Sequence, residues 1–246
     1  MPRYQILIEY VGTKFIGWQI QKKGISIQGL IQQRLSKLLN EKINVIGSGR
    51  TDSGVHAIEQ SGHFDCEKEI KDYKKFIKSS NYFLNKDLIS ILKIKKKNKN
   101  FHARHSAKMR SYIYVIYNRE ASISLNHNRG WHLKKKLNIK LMKKGAKKLT
   151  GTNDYSTFRA SSCGAKSPIK TIKYFKVIKS KETIKIRVKS KSFLQKQVRS
   201  MIGCLKYLAE KKWNLKKFES VFKSRKRTLC APPAPAHGLF LEKITY

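Results

Sequence analysis

Apolar and polar positions alternate along Tyr4–Tyr10, the period of a half-buried strand. After Ser26 the spacing changes. Ile27, Leu30, Ile31, Leu35, Leu38 and Leu39 recur at helical intervals, and Ser26 is a ready N-cap. Val45–Ile46 leads into a glycine-rich turn, Gly47–Gly54, and a strand is predicted over Ile58–Phe64. A helix is predicted over Tyr73–Leu84 and a strand over Leu88–Ile94. The order β-α-β-α-β is close to the split βαβ, ferredoxin-like unit.

A second pass of the same kind begins near Arg110. Tyr112–Tyr117 is apolar on both faces and reads as a buried strand. A helix is expected over Ile139–Leu149, then strands over Ile172–Ile178 and Ile184–Val188. A helix following Phe193 would carry Leu194, Val198, Met201, Ile202, Leu205 and Leu208 on one face. Trp213–Phe222 reads as helix and Gly238–Ile244 as a last strand, with a stiff Pro-rich loop, Ala231–Ala236, before it. The fold class is therefore α+β in two similar halves, residues 1–105 and 106–246.

Composition narrows the function. The 246 residues hold 55 Lys plus Arg against 15 Asp plus Glu, a formal charge of +40. With 40% hydrophobic residues there is enough apolar side chain for a core, so a disordered basic tail is excluded. Such a charge suits a polyanion, either nucleic acid or an anionic membrane. No apolar run is long enough for a spanning helix or a signal peptide, which favours nucleic acid and a cytoplasmic location. Cys66, Cys163, Cys204 and Cys230 are scattered without a CxxC pair, as expected of reduced thiols rather than metal ligands. Between Asp87 and Glu182 only Glu120 and Asp154 are acidic, against 25 Lys plus Arg. So long a stretch suggests a continuous phosphate-binding face.

The strongest local signal is Gly49-Arg-Thr-Asp-Ser-Gly-Val-His-Ala57. Flanking glycines permit unusual backbone geometry and close approach of another molecule. An Asp in so basic a chain lowers phosphate affinity, so its presence calls for a reason. The turn lacks the spacing of a P-loop or a dinucleotide fingerprint, and no paired acids or catalytic triad accompany it. A structural Asx-turn and a functional carboxylate both fit these residues. A single carboxylate can act at a sugar or base carbon without a metal.

This segment resembles the signature of the TruA family of tRNA pseudouridine synthases, with Ser53 where relatives usually carry Ala. Four further blocks agree in order: Arg110-Ser-Tyr-Ile-Tyr114, Asp154-Tyr-Ser-Thr-Phe-Arg159, Phe193–Gly203 and Ala236–Leu241. The resemblance spans almost the whole chain. It implies an isomerase that converts uridine to pseudouridine in the anticodon arm of tRNA, at positions 38–40, with no metal and no cofactor. It implies that Asp52 is the catalytic carboxylate and that Arg199 pairs with it; a neighbouring cation favours the charged form of a carboxylate. It assigns Tyr112 to the target uracil and Arg50 to extrusion of the base from its stack. It further implies two ferredoxin-like halves whose antiparallel sheets meet at a central cleft, and a homodimer. Ser53 and His56 are expected to support the turn, and Gly203 to let the Arg199 helix approach a neighbour closely. A non-catalytic basic RNA-binding or ribosome-associated protein is the alternative. A nuclease is a third reading, for which no metal-carboxylate cluster is visible.

Overall fold

The computed structural model describes all residues, Met1–Tyr246. In chain order the elements are β1 (Arg3–Tyr10), α1 (Ile27–Leu39), β2 (Ile46–Gly47), β3 (His56–Asp65), α2 (Tyr73–Leu84) and β4 (Ile89–Lys97). They continue with β5 (Met109–Asn118), β6 (Trp131–Leu133), α3 (Ile139–Lys148), β7 (Gly151–Asp154), β8 (Ile169–Ser180) and β9 (Thr183–Ser190). The last three are α4 (Gln197–Ala209), α5 (Leu215–Lys223) and β10 (Leu239–Thr245). The architecture is a mixed α/β fold in which most strand pairs are antiparallel. The chain forms two compact units, Met1–Lys108 with Phe240–Tyr246, and Met109–Leu239.

In the first unit the strands run in the order β4-β1-β3, with β2 paired to β3, all antiparallel. Residues Phe240 and Leu241 of β10 add a short parallel pairing to His56 and Ala57. Tyr4, Ile6, Ile8 and Tyr10 of β1 are fully enclosed, as the alternation predicts. They share the core with Ile27, Ile31 and Leu35 of α1 and with Phe76 and Leu84 of α2. α1 begins where the cap predicts, with the Gly29 amide donating to Ser26 Oγ at 3.1 Å. Asp72 caps α2 in the same way, accepting from the Lys75 amide at 2.8 Å. β4 starts at Ile89 rather than Leu88, because Leu88 sits in the left-handed region at φ 57°.

In the second unit β5, β9, β8 and β7 neighbour one another, all antiparallel, and β6 joins β5 in parallel. β5 is less enclosed than its composition suggests. Tyr112, Ile113, Tyr114 and Ile116 are buried, whereas Val115 and Tyr117 are only half so. On β9 the alternation is strict: Ile184, Ile186 and Val188 face the core while Lys185, Arg187 and Lys189 face away. α4 starts at Gln197, three residues after Leu194. Lys196 adopts φ 60°, which breaks the helix, and Gln197 Oε1 instead accepts from the Leu194 amide at 2.8 Å. Likewise α5 starts at Leu215, because Asn214 caps it by accepting from the Lys217 amide at 2.8 Å. Trp213 is left outside the helix, packed on Tyr207 with ring centroids 5.1 Å apart.

Candidate active site

Arg50 and Asp52 lie in the first unit, on the turn between β2 and β3, and the turn is held from several sides. The Val55 amide donates to Asp52 O at 3.1 Å, and Gly54 at φ 77° supplies the left-handed third position this closure needs. The Trp18 amide donates to Thr51 O at 3.1 Å, and Asp52 forms a backbone bridge with Gly17. The Ser53 hydroxyl donates to Phe15 O at 3.0 Å, while Tyr10 and Thr51 share a 2.8 Å hydroxyl contact. Upstream, Gln60 Nε2 donates to Gly49 O at 2.7 Å. Each bond fixes backbone on one side or the other of Asp52, so its side chain leaves the turn from a defined point. Asp52 is half-buried and Arg50 exposed.

The cradle for this turn is the segment Gly12–Trp18, which the pattern of the chain does not reveal. Two of its glycines are required by contact. A Cβ at Gly12 would stand 1.9 Å from Val55 O, and one at Gly17 would stand 2.7 Å from Thr51 O. Gly17 also holds φ at 115°, a region L side chains rarely enter. Its trace in the sequence is the glycine spacing in Val11-Gly-Thr-Lys-Phe-Ile-Gly-Trp18. His56 supports the turn as expected. Its Nδ1 accepts from the Gly12 amide at 3.0 Å, which leaves the ring proton on Nε2, and the ring stacks on Phe240 at 4.7 Å.

Tyr112 and Arg199 lie in the second unit. Tyr112 is near the start of β5, 8% exposed, and meets Phe193 edge-on with centroids 5.3 Å apart. Arg199 is in the first turns of α4 and is half-buried. The Pro-rich loop grips it twice: Arg199 Nε donates to Ala234 O at 2.7 Å, and the Ala234 amide donates to Arg199 O at 3.0 Å. This grip needs Gly203, one turn on, where a Cβ would stand 2.0 Å from Pro232 O. The close approach expected of Gly203 is therefore made by the loop.

Tyr114, two residues past Tyr112, anchors the far end of the same loop by donating to Pro235 O at 2.9 Å. Burial pushes its phenol far above the ordinary range, with a small opposing effect of Arg199. Tyr114 is thus a neutral donor and a packing residue. Burial, followed by the charges of His127 and Arg199, holds His237 below the usual imidazole range. Arg199 is accordingly a fixed guanidinium on a helix start, flanked by a neutral phenol and a neutral imidazole. Such a group can neutralise a carboxylate or a phosphate with a defined donor geometry.

A family model described as tRNA pseudouridine synthase matches residues 6–106 and 146–246. The chain is 65% identical, over the full length of both proteins, to the tRNA pseudouridine synthase A of Pelagibacter ubique (strain HTCC1062). It is 40% identical over its whole length, and 96% of the other's, to that of Paramagnetospirillum magneticum (strain ATCC 700264 / AMB-1). Against that of Rhodopseudomonas palustris (strain BisA53) the identity is 39% over the whole of both chains. Among solved structures, a chain of a Cbf5-Nop10-Gar1 complex superposes with a TM-score of 0.34 at 11% identity, covering 82% of this chain and 53% of that one. The chain belongs to the TruA family of tRNA pseudouridine synthases, and it is an isomerase acting on tRNA.

Proposed function

We propose that this enzyme isomerises uridine to pseudouridine in the anticodon stem-loop of tRNA, at positions 38–40, with Asp52 as its catalytic carboxylate. The observation that carries this reading is the turn itself: one carboxylate, set by backbone bonds on both sides, in a chain of charge +40. The uracil leaves C1′, rotates and rejoins through C5, so no atom is gained or lost and no electron acceptor is needed. Asp52 acts at the ribose, and Arg199 neutralises it as its ion-pair partner. Tyr112 lies against the target uracil. Arg50, exposed at the tip of the turn, extrudes the base and fills the space it leaves.

Two ferredoxin-like halves, residues 1–105 and 106–246, carry these groups. The β4-β1-β3-β2 antiparallel order of the first and its β-α-β-β-α-β succession support that reading, as does the β5-β9-β8 order of the second. The enzyme works in the cytoplasm as a homodimer on tRNA phosphates.

The test is tritium release from tRNA carrying C5-labelled uridine, with the modified positions mapped afterwards. Release by the wild-type enzyme, confined to the anticodon arm and abolished in Asp52→Ala, is the expected result. Undiminished release by Asp52→Ala would remove the carboxylate from the mechanism, and release from another arm would move the site.

A further inference from the structure

The loop that grips Arg199 is tied to α4 at a second place, through two sulfurs. Cys204 lies on α4, one residue past Gly203, and is 1% exposed. Cys230 lies immediately before the Pro-rich loop and is half-buried. Their sulfurs are 3.5 Å apart, although the two residues are 26 positions apart in the chain. A disulfide has its sulfurs about 2.05 Å apart, so closing this pair needs a movement of roughly 1.5 Å. The surroundings hold the pair in register. The Cys230 amide donates to Arg227 O at 3.1 Å, and Arg227 Nη1 donates to Ser200 Oγ on α4 at 3.3 Å.

We propose that Cys204 and Cys230 form a redox-sensitive dithiol, which hydroperoxides convert into an intrachain disulfide that latches the Ala231–Ala236 loop against α4 and shifts Arg199.

The two sulfurs have distinct roles. Cys230 is the reactive one. The Cys204 thiol donates to it and, against the opposing effect of burial, holds it below the usual thiol range, helped by the Arg227 charge. Cys204 is pushed well above that range by the hydrogen bond to Cys230 and by burial. The Cys230 thiolate attacks a peroxide oxygen; the O–O bond breaks, Cys230 becomes a sulfenic acid, and the other oxygen leaves as water or alcohol after taking a proton. Cys204 then attacks the sulfenic sulfur, the S–O bond breaks, and the hydroxyl leaves as water with the proton that Cys204 gives up. One peroxide is reduced and two thiols are oxidised, so the steps balance.

The consequence for turnover follows from Ala234. Its carbonyl and amide both bond Arg199, and Pro232 O lies against the Cα of Gly203. Drawing Cys230 towards α4 therefore strains the loop on which the guanidinium is seated. A displacement near 1 Å at a catalytic group can reduce rate up to about a hundredfold. The pairing of the sulfurs rests on their 3.5 Å approach, whereas its effect on turnover rests on the role proposed above for Arg199; peptide mapping reads the first independently of the second.

The experiment treats the full-length enzyme with hydrogen peroxide, maps its peptides without reduction, and measures tritium release before and after adding dithiothreitol. The expected result is a Cys204–Cys230 cross-linked peptide and a turnover loss of about tenfold or more, restored by dithiothreitol. Cys230→Ser, a near-isosteric change at a half-buried position, should keep its starting turnover and resist peroxide. Cys66, whose thiol burial pushes up to about 11, is the internal control and stays reduced. Direct passage of Cys230 to the sulfinic acid with no cross-linked peptide overturns the dithiol. A cross-linked peptide with unchanged turnover overturns the latch.

Discussion

At the scale of single residues, the turn around Asp52 separates what a position must be from what it must do. Gly12 and Gly17 carry no chemistry, yet each touches the backbone of the turn closer than a Cβ allows. Gly17→Ala should destabilise the enzyme by about 1–3 kcal/mol and lower turnover by moving Thr51, which urea unfolding and tritium release read separately. Asp52→Asn is nearly isosteric and should leave stability unchanged. It should lower kcat by at least about a thousandfold, roughly 4 kcal/mol of transition-state stabilisation. Arg50 is exposed, so Arg50→Ala should also fold normally. Its expected effect is selective: the loss should be greatest for a paired, stacked uridine and at least about tenfold smaller for the same uridine opposite a mismatch, where extrusion costs less. Equal losses on the two substrates would assign Arg50 to phosphate binding alone. The Gly49–Ala57 motif was legible because all its members are neighbours in the chain. Its cradle was not, because Phe15, Gly17 and Trp18 meet the turn only after 35 or so intervening residues have folded.

Elements were legible where a period had room to repeat. Ser26 capping and the Tyr73–Leu84 limits of α2 follow from caps and apolar spacing over three turns. β2, β6 and β7, with two to four residues each, are too short to display a period, and their pairing depends on the longer strands beside them. The start of α4 was misjudged for a local reason. Leu194 falls on the helical stripe but is buried from a turn, because Lys196 takes a left-handed conformation. β3 offers a pH prediction. His63, enclosed on this strand, accepts from the Ala103 amide through Nδ1 at 3.1 Å and so ties the 101–106 segment to the sheet. Burial first, then the charges of Arg3 and His102, lower its pKa to about 4, with Asp65 opposing. In the unfolded chain the group titrates near 6.5. Stability from neutral His63 is therefore complete above pH 6.5 and is lost as pH falls towards 4, by up to about 3 kcal/mol. His63→Gln keeps an acceptor for Ala103 and should flatten this part of the stability profile, as urea midpoints at neutral and acidic pH would reveal.

At the scale of the whole molecule, the +40 charge and the site answer different questions. The charge sets how strongly tRNA is held and how steeply salt weakens that hold, while phosphate contacts by themselves carry no information about which uridine reacts. The strands show how the charge can be displayed without disturbing a core. Along β9 each cation alternates with a buried aliphatic residue, and Lys176 of β8 is opposite Arg187, on the same side as Lys185 and Lys189. Side chains two apart on a strand are about 6.6–6.8 Å apart along it, a spacing suited to successive phosphates. Neutralising Lys176, Lys185 and Lys189 together with Gln leaves the buried face untouched, so folding should be unaffected. In an Asp52→Asn background, where tRNA binds without turning over, the plot of log affinity against log salt should become shallower by about 2–3 units, since each lost phosphate contact removes about 0.7–0.9. The weakening should be the same for tRNAs with and without a target uridine, because these lysines hold phosphate rather than base. An unchanged slope would place the tRNA on another face and leave the β8–β9 cations as solvated charge. A slope that changes only for target tRNAs would mean that this face reads the anticodon arm itself.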